Sequence, residues 1–326
     1  MTTTALRVHD LRVTAASPDG PSYPVDGVSL HVGQGEILGI AGESGSGKSL
    51  TLKAILGLLP PGLTATGTLQ LASGDGELAP YQSHQVRGAG VGMVFQEPMT
   101  ALNPTMRAGD LVALAARLHG RLSRRASRHR AVELLRQVGV PDAERRAKAW
   151  PHQLSGGLRQ RVMIAAALAA QPRVLLCDEP TTALDVTVQH QILRLLRWLA
   201  DEHGTGMIFV SHDLPVIAQL CDRIAVMYAG RFVETGYTRD VLTHPRHPYT
   251  AALLRAAPSV DQRGEQLAGI SGQPPDARAF PAGCRFRPRC PLARDDCAHA
   301  PYEIQPVAAE HGSACIHHAD LEVRTA

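Results

Sequence analysis

The rhythm of polar and apolar positions changes twice along the chain. "LRVHDLRVTA", Leu6–Ala15, alternates with period two, the pattern of a strand with one buried face. "VDGVSLHVGQGEILGIAG", Val25–Gly42, reads as two strands divided by a Gly-Gln-Gly turn. After a glycine-rich loop, Leu52, Ile55, Leu56 and Leu59 fall at i, i+3, i+4 and i+7, one face of a helix expected to stop at Pro60-Pro61. "VGMVFQ", Val91–Gln96, predicts another buried strand, so residues 1–95 form a β-rich start. From 98 to about 153 helical spacing takes over. From Arg173 strand and helix alternate again: "VLLC", a helix from about Val186 to Asp201, "MIFV", a further helix, then "IAVMYAG". That grammar predicts an α/β fold with a mostly parallel sheet. Beyond about residue 240 proline, glycine, arginine and cysteine become frequent, which sets a separate tail at 241–326 against a core at 1–240.

Composition changes this picture little. The 326 residues are 44% hydrophobic and 4% aromatic, enough for a real core in one large or two modest domains. A formal net charge of +3 is too small to imply a nucleic-acid partner. The arginine run "RLHGRLSRRASRHR", Arg117–Arg130, is read as a solvated helix face rather than a nucleic-acid or lipid patch. The longest apolar run, Val162–Ala170, is far short of the roughly 20 residues that span a bilayer. "MTTTALRVHD" has no apolar signal-peptide core, so a cytoplasmic chain is expected, with any membrane role exercised through partners. Cys284, Cys290, Cys297 and Cys315 crowd the tail, a cluster that in a reducing compartment favours a metal site over disulfides. Cys177 and Cys221 are read as small buried hydrophobes.

The chemistry concentrates in "GESGSGKS", Gly42–Ser49, which fits G-x-x-x-x-G-K-[ST] between an apolar strand and an amphipathic helix. Glycines let backbone amides turn around phosphate oxygens, and the following helix points its positive end at the same anion. Lys48 can reach the β- and γ-phosphates, and the Ser49 hydroxyl can ligate Mg2+. "RVLLCDEP" ends an apolar strand in Asp178-Glu179: Asp178 suits the Mg2+ sphere, and Glu179 suits polarising the attacking water. "LSGGLRQR", Leu154–Arg161, opens a second phosphate-receptive helix N-terminus at Ser155, Gly156 and Gly157. One nucleotide hardly needs two such ends from one subunit, whereas two subunits packed head to tail would use both.

With these segments in order, the chain resembles the nucleotide-binding subunits of ABC transporters over about residues 5–240. "GESGSGKS" is similar to Walker A, Gln96 in "VFQEP" to the Q-loop, "LSGGLRQR" to the signature, "VLLCDEP" to Walker B, Asp185 in "TALD" to the D-loop and His212 in "VSHDL" to the switch histidine. The resemblance implies an ABC-type P-loop NTPase with a mostly parallel core sheet, an antiparallel β subdomain and a helical subdomain at about 98–153. It implies that Gly42, Glu43, Ser44, Gly45, Ser46, Gly47, Lys48, Ser49 and Leu50 bind ATP, with Gln96, Asp178, Ser155, Gly156, Gly157 and Asp185 completing the nucleotide contacts. Mg2+ then falls to Ser49, Gln96 and Asp178; catalysis falls to Glu179 as base, His212 on the γ-phosphate and Gln96 at the metal or water. The adenine-stacking aromatic stays unassigned, with Tyr23 the nearest candidate but close to the loop.

"MTALNP", "HPRHPYTAALLRAAP", "ISGQPPD" and "GCRFRPRCPLARDDC" resemble the oligopeptide and dipeptide importer ATPases, with nickel or metal-chelate importers as runner-up and a soluble nucleic-acid ATPase as the outside reading. The tail cysteines are spaced C-x5-C-x6-C-x17-C, which by itself names no metal; four thiolates suit zinc or an iron–sulfur centre. Resemblance to the importer tail implies a [4Fe–4S] cluster, Zn2+ being the alternative. The implied partners are a second ATPase subunit (a different chain, or a second copy), two membrane permeases and, indirectly, a substrate-binding protein, with no nucleic acid. The implied location is peripheral, at the cytoplasmic face of the cell membrane.

Overall fold

The structure is a computed structural model that describes residues 3–18, 20–73, 76–120, 122–182, 184–256, 269–301 and 303–321. Its first six strands are β1 (Thr4–Ala15), β2 (Ser22–Gly33), β3 (Ile37–Ala41), β4 (Leu63–Ala72), β5 (Leu78–Pro80) and β6 (Val91–Val94). The others are β7 (Val174–Asp178), β8 (Gly206–Ser211), β9 (Arg223–Tyr228), β10 (Arg231–Tyr237), β11 (Gln305–Ala308) and β12 (His311–Ser313). The helices begin with α1 (Lys48–Ile55), α2 (Ser83–Val86), α3 (Pro98–Ala101), α4 (Ala108–Gly120), α5 (Arg124–Gln137) and α6 (Ala143–Arg146). They continue with α7 (Gly156–Leu168), α8 (Val186–His203), α9 (Leu214–Leu220), α10 (Thr238–Thr243) and α11 (Pro248–Ala256). The chain divides into two compact units: 1–6, 31–37 and 70–208 form the first, and 7–30, 38–69 and 209–326 the second. Among the described residues no helix is long and apolar enough to cross a membrane.

In the first unit β6 and β7 pair in parallel, Val91 opposite Val174 through Val94 opposite Cys177. All five residues of β7 are buried; Val174–Cys177 are the unbroken apolar run of a parallel strand covered on both faces, and Asp178 ends it. In the 98–153 stretch α4 lies against α5, and both pack against α7 beyond it. Ser123 caps α5 by accepting the Ala126 N–H at 3.2 Å. The part of the arginine run that falls on α5 lies on its exposed side: Arg124, Arg125 and Arg128 face solvent, while Ala131, Leu134 and Leu135 are buried. Arg130 pairs with Glu133 at 3.4 Å on the same helix, as a solvated face predicts.

In the second unit β3 pairs in parallel with β9, β9 antiparallel with β10, β10 with β12, and β12 with β11. Residues of the 241–326 stretch therefore add strands beside β10. The β9–β10 hairpin turns through Ala229 and Gly230, both at positive φ (46° and 83°), the handedness that matches strand twist. The strand pattern read from the sequence stops at Gly230 and gives no sign of β10. The helix α1 also ends before the Pro60-Pro61 stop expected for it: Gly57 adopts φ 61°, its N–H bonds Ala54 O, and the Leu58 N–H bonds Lys53 O at 2.8 Å. That Schellman closure leaves Leu59 outside the helix and Leu58 partly exposed. Cys177 and Cys221 are buried as expected; a Cβ at Gly39 would meet the Cys221 sulfur at 3.0 Å.

Candidate functional site

The second unit carries the phosphate loop. Buried β3 leads directly into Gly42, and α1 starts behind Gly47. Gly42 sits at φ 154° and Gly47 at φ 108°; a Cβ on Gly47 would meet the Pro24 carbonyl at 2.8 Å, and one on Gly42 would collide with the Met227 carbonyl. Lys48 is 5% exposed, and its Nζ donates to Gly42 O (2.8 Å) and Glu43 O (2.9 Å), so the ammonium is folded back over the loop. Thr51 ties the first turn of α1 to Gly47 O at 3.0 Å. Among the described residues the buried Ser46 hydroxyl has no hydrogen-bond partner, a polar group left for a ligand oxygen. Ser44 and Gly45 help line a cavity of about 50 Å³ with Tyr228 and Phe280. Ser49 and Leu50 lie in the first turn of α1, and His212 follows β8 on an exposed position. Tyr23, the unassigned aromatic, lies under the Arg12 guanidinium, 5.7 Å from its ring centre.

The first unit carries the acids and the second helix start. Asp178 ends β7 at 3% exposure. Glu179 follows at φ 45°, a left-handed conformation that a glutamate adopts only where its surroundings impose it. Its Oε2 accepts from Gln96 Nε2 (3.3 Å) and from the Thr182 hydroxyl (3.0 Å). Two candidates 83 positions apart are thus brought together, and Thr182, which the sequence motifs do not single out, joins them. Ser155 caps α7 through its hydroxyl, which accepts the Leu158 N–H. Asp185 caps α8 in the same way, accepting the Val188 N–H at 2.9 Å. The two helix starts touch: a Cβ on Gly157 would meet Val188 Cγ1 at 2.6 Å, and one on Gly156 would be 3.9 Å from Leu184. A groove of about 290 Å³ lined by Arg107, Asp110 and Trp150 lies on α4 and α5 and includes none of these residues.

The tail cysteines are set in turns. Cys284 N–H donates to Cys297 O at 2.8 Å, and Cys315 N–H to the Ser313 hydroxyl at 3.1 Å. Burial raises the Cys284, Cys290 and Cys315 thiols, Cys315 to about 12, and charge on neighbouring cysteines adds to the effect. The compact ligand group among the described residues is a different set: Asp296, Cys297 and His317, with every ligand atom within 4.8 Å of the others. His317 Nε2 lies 2.9 Å from Asp296 Oδ1. The sequence points to the four cysteines and not to Asp296 and His317, because C-x5-C-x6-C gives no hint that a carboxylate and an imidazole turn toward Cys297.

The "HPRHPY" stretch is held by a buried carboxylate. Glu234, 0% exposed, accepts from Arg246 N–H (2.5 Å) and His247 N–H (3.0 Å), and His311 Nε2 is 2.7 Å away. His247 Nδ1 accepts the Tyr249 N–H at 3.1 Å. Burial drags the His247 imidazole down to about 3, so it is neutral, as that acceptor role requires.

Comparison with known proteins identifies the family. The family described as ABC transporter matches residues 25–182, and the oligopeptide/dipeptide transporter C-terminal region matches 233–297. The oligopeptide transport ATP-binding protein OppD of Escherichia coli K12 is 46% identical over 300 residues, covering 91% of this chain and 88% of that protein. The probable D,D-dipeptide transport ATP-binding protein DdpD of the same organism is also 46% identical, covering 92% and 93%. OppD of Mycobacterium tuberculosis is 46% identical over 95% of this chain, but the chain spans only about half, 51%, of that relative's length. Among solved structures, the dimeric post-hydrolysis form of the ATP-binding cassette MJ0796 bound to ADP and Pi superposes with a TM-score of 0.62 at 31% identity, covering 72% of this chain and 99% of that one.

Proposed function

Because this chain belongs to the ABC transporter family of ATP-binding proteins, we propose that it hydrolyses ATP to drive import of di- or oligopeptides, at the cytoplasmic face of the cell membrane. The observation that carries the reading is the Gly42–Ser49 loop, with its lysine held over the loop carbonyls and its Ser46 hydroxyl unspent. The loop amides and the α1 N-terminus bind the phosphates, and Lys48 swings from its carbonyls to the β- and γ-oxygens. Ser49, Gln96 and Asp178 offer an all-oxygen donor set of the kind Mg2+ takes, and the ion neutralises charge on the phosphates when bound. Glu179 accepts a proton from water as the water oxygen bonds to the γ-phosphorus and the bond to ADP breaks; the Gln96 and Thr182 bonds aim its carboxylate. His212 holds the γ-phosphate.

Two such subunits pair head to tail, so that Ser155, Gly156, Gly157 and Asp185 of each close over the nucleotide of the other. The mate is read as a non-identical ATPase subunit, with a second copy of this chain as the alternative. Both dock on two permeases served by a substrate-binding protein. Cys284, Cys290, Cys297 and Cys315 would hold a metal centre, read as [4Fe–4S] with zinc as the alternative.

The test is Glu179→Gln in the assembled transporter. It should keep ATP bound in a closed dimer while turnover falls by about 10²–10⁴-fold. Hydrolysis at the wild-type rate rejects the reading of Glu179, and a transporter that carries no peptide at full ATPase activity rejects the substrate class.

A further inference from the structure

The phosphate loop has a rear wall that its own motif does not encode. Glu43, second residue of the loop, is held twice by the 241–326 stretch. Its N–H donates to the Tyr249 hydroxyl at 2.9 Å. Its carboxylate takes both arms of the Arg289 guanidinium, Nη1 to Oε2 at 2.7 Å and Nη2 to Oε1 at 3.0 Å. Arg289 is 4% exposed and Glu43 25%. The rest of the guanidinium is spent too: Nε donates to Ser271 O (2.9 Å), Nη2 also to Ile270 O (3.2 Å), and Nη1 also to the Tyr228 hydroxyl (3.4 Å). Only a planar fork can serve all of these at once, so a lysine would keep the charge and lose the geometry. Tyr249 is itself fixed, fully buried with Tyr228 and Phe286 rings 4.5 and 5.4 Å from its own. The Glu43 carbonyl receives Lys48 Nζ. A turn of residue 43 therefore moves the amide, the carboxylate and the anchor of the loop lysine together.

We propose that Arg289, together with Tyr249, is a positioning residue for ATP: the fork on Glu43 holds the loop in the turn that receives the phosphates, so the seating of the tail sets the affinity of the loop for nucleotide. The alternative is that Arg289 only fastens the tail. The two differ in nucleotide affinity, which a fastener leaves alone. The proposal rests on the ATP-binding reading of the loop, and wild-type affinity of a Lys48→Ala protein would signal failure of that reading rather than of this one.

The experiment measures the dissociation constant of mant-ATP with Mg2+, and the thermal midpoint, for the full chain as wild type, Arg289→Ala, Arg289→Lys, Glu43→Gln, the Arg289→Ala/Glu43→Gln double variant, and Arg278→Ala. Arg278 pairs with exposed Asp276 in the same stretch and serves as control. Arg289→Ala and Glu43→Gln should each weaken mant-ATP on the order of tenfold, Arg289→Lys by less, and the double variant no more than Arg289→Ala alone. Arg278→Ala should match wild type. In Arg289→Ala the KM for ATP should rise with kcat at saturating ATP largely kept. Unchanged mant-ATP affinity with a lowered thermal midpoint overturns the proposal, as does a double variant whose losses multiply. If Arg289→Ala does not fold, Glu43→Gln, nearly isosteric, decides alone: wild-type affinity overturns the proposal and weakened affinity sustains it.

Discussion

Acid should weaken this protein through one histidine. His247 is 1% exposed, its Nδ1 accepts the Tyr249 N–H, and its own backbone N–H donates to Glu234. In the unfolded chain the imidazole titrates near 6.5, and in the folded protein near 3, because burial penalises the cation. Between those values the unfolded chain holds a proton that the native state refuses. The histidine's contribution is therefore complete above pH 6.5 and is lost as the pH falls toward 3. At about 1.4 kcal/mol per pH decade, moving from pH 6.5 to pH 5 removes about 2 kcal/mol. Glu234, His311 and the Arg246 backbone share the same hydrogen-bonded cluster, so a non-titrating variant at 247 is needed as reference. His247→Asn keeps an acceptor near the Nδ1 position and does not titrate. Urea unfolding of both proteins at pH 7.0 and pH 5.0 should show wild type losing about 2 kcal/mol more than the variant. Equal losses would refute the assignment of acid sensitivity to His247.

Lys48→Ala removes the ammonium that sits on Gly42 O and Glu43 O, and mant-ATP affinity should fall at least about tenfold; unchanged affinity contradicts the phosphate role. Gly283→Ala puts a Cβ against the Cys297 and Ala298 carbonyls at a residue held at φ 68°, and should cost about 1–3 kcal/mol with earlier proteolysis of the 269–321 stretch; a wild-type melting and cleavage pattern speaks against that packing. Protein purified without oxygen should yield about four irons and four sulfides per chain, whereas colourless protein carrying one zinc decides for the alternative.

The features legible in sequence are those whose physical cause is local. A phosphate loop needs its glycines and lysine within eight positions, because one turn of backbone surrounds the anion, so "GESGSGKS" could be read directly. Parallel strands such as β3 and β7 are buried on both faces and appear as unbroken apolar runs. The Ala229-Gly230 turn was less visible, since alanine is not a residue that announces positive φ. The strain at Glu179 was invisible for a related reason: φ 45° is imposed by tertiary surroundings, and no residue type encodes it.

The grip on Glu43 illustrates the harder case. Its partners lie 206 and 246 positions away, and neither "HPY" nor "RPRC" carries any local mark of a phosphate loop. Within the loop motif Glu43 stands at a position where any residue is permitted, so pattern reading assigns it nothing beyond proximity to phosphate. The fold adds a structural role, since its carboxylate and amide point into a wall of Arg289, Tyr249 and Tyr228. A chain that had the nucleotide motif alone, with a neutral residue at position 43, would leave a nearly buried guanidinium without its carboxylate, a loss that buried ion pairs feel strongly. The glutamate at 43 and the arginine at 289 therefore constrain each other in this chain. In this protein the variable second position of the phosphate loop thus records what is docked behind it.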